Sequence, residues 1–155
     1  LYNRQRHDRR RTGPLRSHRL SLHDLTSLEA PSLEDFDALA HAAYARLPQT
    51  FHELTGNIII RIEDFPEDDV LRDMKANEFD LLGLFQGTGL AHGEELSHTG
   101  MLPNMVFLYR RPILDYWAEH KEALGAIISH VLIHEIGHHF GLSDDDMERI
   151  EREVP

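Results

Sequence analysis

The chain has no cysteine among its 155 residues. Disulfide bonds and thiolate metal sites are therefore excluded, and the composition fits a reducing cytoplasm. No apolar run approaches the ~20 residues that a membrane-spanning helix needs, and no stretch has the pattern of a signal peptide. These absences predict a cytoplasmic protein without a membrane segment.

Positive charge is scarce beyond the first 20 residues. The whole chain has a net charge of −11, but seven arginines against one aspartate give residues 1–20 a charge of +6 and leave −17 on the remaining 135 residues. A body this acidic repels phosphates, which argues against a nucleic-acid partner, although a basic segment can bind RNA or acidic surfaces. We therefore expect a basic, flexible arm over residues 1–25 and a single domain over residues 26–155, since 41% hydrophobic content suffices for one core.

The periodicity of the chain predicts an α+β fold. Ser32 caps a helix that ends before Pro48, three short strands follow, and a loop over residues 63–78 holds one helical turn. A long exposed loop is expected over residues 86–104, followed by a long helix that is broken near Gly125 and ends at Gly141. The predicted elements are a helix over 33–47, strands over 58–62, 81–85 and 105–109, and a helix over 113–140.

The residues richest in chemistry lie in one stretch, which reads HVLIHEIGHHFGLSDDDM from His130 to Met147. Within it His134, Glu135 and His138 fit the pattern H-E-x-x-H. On a helix, residues i and i+4 lie one above the other ~6 Å apart, so both imidazoles can reach one metal ion. Glu135 is rotated by about 100° from His134, which suits it to act as general base toward a metal-bound water.

An open zinc site needs a third protein ligand besides two histidines. Gly141 follows His138 by three residues and can take the left-handed conformation that ends a helix and reverses the chain. The reversal would bring Asp144 over the histidine face, which completes H-E-x-x-H-x-x-G-x-x-D. Two neutral imidazoles and one carboxylate leave such a zinc site with a charge of about +1, and zinc lowers the pKa of bound water to about 7.

Several neighbours of the motif are alternatives or have secondary roles. His130 lies ~12 Å along the axis from His138 and cannot share an ion with it, so it is expected to be packed or to support a ligand. His139 points off the ligand face, and Met147 forms either the floor of the site or ordinary core. Tyr109 and His98 are candidates for stabilising an oxyanion. The alternative third ligands are Asp145, Asp146, Glu148 and Glu151.

The motif resembles that of the zincin metallopeptidases, and its third-ligand spacing resembles the metzincin branch with Asp144 in place of the usual histidine. Metzincins also have a Met-containing turn farther along, which we do not expect here because eleven residues follow Asp144. The closer resemblance is to the small bacterial minimal zincin-like metallopeptidases, whose active-site helix is preceded by a segment similar to residues 107–114, FLYRRPIL. This resemblance covers residues 33–151 and implies Zn²⁺ on His134, His138 and Asp144, with Glu135 as base.

The resemblance implies a minimal zincin-like fold, in which a small mixed β-sheet packs on an N-terminal helix and a long C-terminal active-site helix. The predicted function is that of a zinc-dependent peptidase acting on a peptide or protein. An extended peptide would then pair with an edge strand, for which residues 105–109 are a candidate unless they form a plain core strand. The alternatives are a non-catalytic, zinc-stabilised interaction module and a metal-dependent endoribonuclease, since one bacterial RNA-processing family also has H-x-x-x-H on a helix.

Overall fold

The computed structural model describes residues 19–87 and 103–154. Most of the predicted basic arm and of the predicted loop over residues 86–104 lies outside these ranges, so the division into arm and domain stays a prediction. The described part confirms the α+β class. Its elements are α1 (Leu22–Ser27), α2 (Leu33–Ala45), α3 (Gln49–Thr55), β1 (Ile59–Glu63), α4 (Asp68–Met74), β2 (Gly83–Gln86), β3 (Met105–Tyr109), α5 (Arg110–Glu119), α6 (Leu124–His139) and α7 (Asp144–Glu153).

The sheet of the described residues has three strands in the order β1-β3-β2. β3 runs parallel to β1, with Ile60 opposite Val106, and antiparallel to β2, with Gly83 opposite Leu108. β3 is therefore the central strand, and Val106 and Leu108 are fully buried. The prediction that residues 105–109 form a peptide-binding edge strand is wrong, because both of their backbone edges are paired; the core-strand alternative is confirmed.

The main core lies between one face of the sheet and helices α2 and α6. Phe36 and Ala40 of α2 pack with Val131 and Leu132 of α6, and all four are fully buried. Burying each large apolar side chain contributes about 1.5–3 kcal/mol, so this face holds α6 firmly on the sheet. None of the helices in the described ranges is both long and apolar enough to cross a bilayer.

One helix begins where predicted, and one stretch predicted mainly as a loop is a helix. The N-terminus of α2 has the expected cap, because Ser32 and Asp35 form a capping box. The acidic stretch predicted as a loop with one helical turn instead contains α4, a seven-residue helix. Its apolar residues Val70, Leu71 and Met74 pack against a second, smaller cluster on the opposite face of the sheet, and this tertiary packing stabilises a helix too short for its periodicity to be evident.

The predicted long helix is two helices, and the break falls close to Gly125 as expected. α5 begins at Arg110, directly after β3, and ends at Glu119, whereas α6 begins at Leu124. Pro112 lies in the first turn of α5, where its missing N–H has no partner to lose. The break allows α6 to take its own direction across the sheet.

Candidate metal centre

His134 and His138 lie one turn apart on α6, as the spacing predicts. Their ring centroids are 5.6 Å apart, and the rings are nearly perpendicular at 87°. The His134 side chain is buried at 8% exposure, whereas that of His138 is 40% exposed. The two imidazoles therefore extend from the core toward the surface along one face of the helix.

The turn after α6 has the geometry of a Schellman motif. Gly141 has φ +77°, and its N–H donates to the carbonyl of His138 at 3.1 Å. The N–H of Leu142 donates to the carbonyl of Gly137 at 2.9 Å. This pair of hydrogen bonds closes the helix and depends on a left-handed residue, so Gly141 ends α6 and reverses the chain as predicted.

α7 begins at once after this turn and runs back along α6. Ser143 is its N-cap and forms a capping box with Asp146, which fixes where the first helical residue, Asp144, lies. A carboxylate oxygen of Asp144, Oδ1, is 3.4 Å from Nε2 of His138. Potential ligand atoms of His134, His138 and Asp144 all lie within 4.8 Å of one another; we call these residues the first triad.

The first triad fits a zinc ion. Two ligands ~2.0–2.1 Å from a tetrahedral zinc ion are separated by about 3.3 Å, and the distance between His138 and Asp144 is close to that value. Two imidazole nitrogens and one carboxylate oxygen are also the donor set of an open catalytic site, in which one position remains for water or substrate. Asp144 is 83% exposed, so the third donor faces solvent.

The structure brings together a second group of potential ligands, which includes Glu151, one of the alternative third ligands, and His130. Oε1 of Glu151 contacts Nδ1 of His130 and is 3.1 Å from Nε2 of His134. Potential ligand atoms of these three residues again lie within 4.8 Å of one another, and we call them the second triad. Burial raises the pKa of Glu151, but hydrogen bonds and electrostatic attraction from both histidines outweigh it and lower the pKa to about 2.

The remaining alternative ligands have other surroundings. Asp146 closes the capping box with Ser143 and pairs with Arg149; the Ser143 hydroxyl and then its backbone N–H lower the pKa of Asp146. Glu148 lies 3.9 Å from Arg152. Neither these two acids nor Asp145 belongs to either triad.

Glu135 lies on an adjacent face of α6, where it packs against β2. Its side chain is 2% exposed, and its Cγ would lie 3.3 Å from a Cβ added to Gly83. The same added atom would lie 2.7 Å from Val131 and 2.9 Å from the carbonyl oxygen of Phe107. Gly83 therefore permits β2 to approach α6 closely enough to pack against Glu135.

A cleft of about 470 Å³ opens beside this packing. Both Glu135 and His138 line it, so the predicted base and one predicted ligand face the same space. Apolar side chains dominate the other walls, and Asp73 adds a carboxylate. The lining comes from Val70, Asp73 and Met74 of α4, residues 84–86 of β2, and Glu135, His138 and His139 of α6.

Three other predicted neighbours have defined positions. His139 stacks on Phe85 with 4.0 Å between ring centroids, as expected for a histidine off the ligand face. Met147 is fully buried, and its Sδ would lie 2.7 Å from a Cβ added to Gly137, so that glycine lets α7 approach α6. Tyr109 is 2% exposed, and burial raises the pKa of its hydroxyl. His98 lies outside the described residues.

Comparisons with known proteins place the chain in a family. The family model for zincin-like metallopeptidases matches residues 55–154, which include both triads, and the chain belongs to this family. The family implies a divalent metal ion, and the first triad supplies a donor set that fits one. No curated protein sequence matches the chain. A solved structure of a conserved hypothetical protein from Thermus thermophilus is similar, with 20% identity and a TM-score of 0.46 over 70% of this chain and 92% of that one.

Proposed function

We propose that this chain is a zinc-dependent peptidase whose metal ligands are His134, His138 and Asp144 and whose general base is Glu135. The observation that carries the proposal is the shared cleft: Glu135 and His138 both line it, and potential ligand atoms of His134 and Asp144 lie within 4.8 Å of that of His138. A metal-binding donor set and a buried carboxylate on adjacent faces of one helix support metal-assisted hydrolysis of an amide.

The metal ligands and Glu135 have separate roles in the proposed reaction. When bound, zinc supplies a Lewis acid that activates water and polarises the substrate carbonyl. Glu135 accepts a proton from the attacking water and returns it to the amide nitrogen that leaves. The packing of Glu135 against β2 fixes the position of its carboxylate before substrate arrives, which reduces the reorganisation that catalysis would otherwise need.

The substrate proposed for this site is an extended peptide that pairs with β2. This strand is at the edge of the described sheet, and residues 84–86 line the cleft. An edge strand offers backbone N–H and C=O groups to an added strand, and alternate side chains then enter the cleft. In this proposal β2, rather than residues 105–109, pairs with the peptide.

The test is Glu135→Gln, assayed on a fluorescence-quenched peptide library with bound zinc measured in the same samples. We expect hydrolysis to fall by about 10²–10⁴-fold, the usual contribution of a general base, while the zinc content is unchanged. Glu153→Gln is the matched control, because Glu153 is exposed on α7 and outside both triads. A Glu135→Gln protein that cleaves at the wild-type rate would refute the role given to this residue.

A further inference from the structure

We propose that His130, His134 and Glu151 form an alternate binding site for a divalent transition metal, which competes with the first triad for His134. One ion per chain would then be distributed between two positions, a catalytic one and a non-catalytic one. The existence of the alternate site is independent of the proposed function, whereas its description as non-catalytic rests on that function.

The geometry of the second triad carries this proposal. Glu151 Oε1 contacts one nitrogen from each of two successive histidines of α6, and it is 3.1 Å from Nε2 of His134. The rings of His130 and His134 are tilted by 36° with centroids 4.0 Å apart. Two imidazole nitrogens around one carboxylate oxygen form the same donor set as the first triad.

The two triads arise because each of the two helices carries potential ligands at a regular spacing. α6 presents histidines at positions 130, 134 and 138, each one turn after the last. α7 runs back along α6 and presents Asp144 beside His138 and Glu151, seven residues or two turns later, beside His134. Each helix therefore offers potential ligands at more than one position along its axis. His134 belongs to both triads.

A single ion cannot use all five residues, and two ions cannot share His134. His130 and His138 lie ~12 Å apart along the helix axis, beyond the reach of one ion. A neutral imidazole has one nitrogen with a free lone pair, so it ligates one metal at a time. Occupation of one triad hence excludes full occupation of the other.

The second triad is the more buried and lies away from the cleft. The Glu151 side chain is 28% exposed, against 83% for Asp144, and neither His130 nor Glu151 is among the residues that line the cleft. An ion in the second triad would be shielded from the solvent-facing side of α6 and would lack the access to substrate that His138 has. The protein would then be folded and metal-loaded but inactive.

The experiment removes the first triad and asks whether metal still binds. In His138→Ala/Asp144→Asn, we expect about one Co²⁺ per chain by elemental analysis, with the visible absorption of low-coordinate cobalt. Adding Glu151→Gln should weaken Co²⁺ binding at least about 100-fold, more than the loss of an outer-shell partner costs. Adding Glu153→Gln, an exposed glutamate on the same helix, should leave Co²⁺ binding unchanged.

Folding of these variants is checked by far-ultraviolet circular dichroism. The two replaced side chains are 40% and 83% exposed, so we expect the double variant to fold. Asp144→Asn alone, combined with either Glu151→Gln or Glu153→Gln, repeats the comparison in a milder background. A folded His138→Ala/Asp144→Asn protein that binds no Co²⁺, or binds it equally well with Glu151→Gln, overturns the proposal.

Stoichiometry in the unaltered chain tests the sharing of His134. We expect saturation at one Co²⁺ per chain, and two ions per chain would overturn the competition between the triads. These binding measurements need no substrate. A wild-type protein that cleaves no peptide would therefore refute the proposed function without affecting them.

Discussion

The two sides of α6 place functional residues by different means. On the β2 side, Glu135 is 2% exposed and packs where Gly83 brings the strand close. On the α7 side, the proposed ligands become more exposed from His134 to Asp144, and a Schellman turn and a capping box determine where Asp144 lies. The comparison teaches that the core positions the proposed base without a metal, whereas the position of the proposed third ligand depends on local backbone geometry that a bound metal would reinforce.

On the α7 side, the largest effect on peptide hydrolysis is expected from replacing Asp144, the most exposed of the proposed ligands. Asp144→Asn removes the only carboxylate of the first triad, and we expect peptide hydrolysis to fall at least about 100-fold, beyond the usual cost of losing an outer-shell partner. Asp145→Asn, one residue later and outside both triads, is the control and should retain activity. Equal rates for the two variants would show that Asp144 is not a ligand.

On the β2 side, Gly83→Ala should destabilise the fold by about 3 kcal/mol, the upper end of the cost of overpacking. The added Cβ would meet a backbone carbonyl oxygen that cannot move aside, 2.9 Å away, and a buried valine at 2.7 Å. Urea denaturation measures the loss. A change smaller than that of Gly137→Ala would contradict the rigid packing described for this side.

On the α7 side, Gly137→Ala should cost less, about 1 kcal/mol in the same urea experiment. Its added Cβ would meet Sδ and Cγ of Met147, at 2.7 and 3.0 Å, and a methionine side chain can change rotamer. Gly125→Ala is the control for both glycines, because nothing lies within 4 Å of its Cβ position and alanine favours a helix by up to ~1 kcal/mol. A loss of stability for Gly137→Ala that is larger than the loss for Gly83→Ala would contradict the proposed difference between the two sides of α6.

A further effect is expected in acid, from Glu151 in chelator-treated protein. Because the histidines lower the pKa of Glu151 from its ordinary value of 4.5 to about 2, ionised Glu151 stabilises the fold above about pH 4.5 and loses this contribution as the pH falls toward 2. The free energy of unfolding of the wild type should therefore approach that of Glu151→Gln over this range. Curves that stay parallel from pH 5 to about pH 2 would contradict the attraction between Glu151 and the histidines.

Local sequence patterns predicted the positions of those residues that depend on helix periodicity or turn chemistry. The spacing of His134 and His138 predicted a helix, and the glycine at position 141 predicted where it ends. The structure agrees, because α6 ends just before Gly141. The position of Glu151 could not be derived in this way, because it depends on how α7 packs across Gly137 through Met147. That glycine in H-E-x-G-H was a usable signal, since it marks where another element can approach.

Tertiary contacts account for the two corrections. The sequence of residues 105–109 does not show whether the strand is central or at an edge, because its place in the sheet depends on pairing with β1 and β2. α4 is stabilised by the cluster beneath it rather than by its seven residues alone. Both features depend on contacts between segments distant in sequence, which local patterns do not contain.

The position of the metal ion is the central claim, and an anomalous difference map at the zinc edge tests it most directly. For crystals of the wild-type protein with one equivalent of zinc, we predict a peak ~2.0–2.2 Å from His134, His138 and Asp144. Part of the zinc would occupy the second triad if the alternate site competes. A map without a peak at the first triad, with the Asp144 carboxylate turned into solvent, would contradict the account.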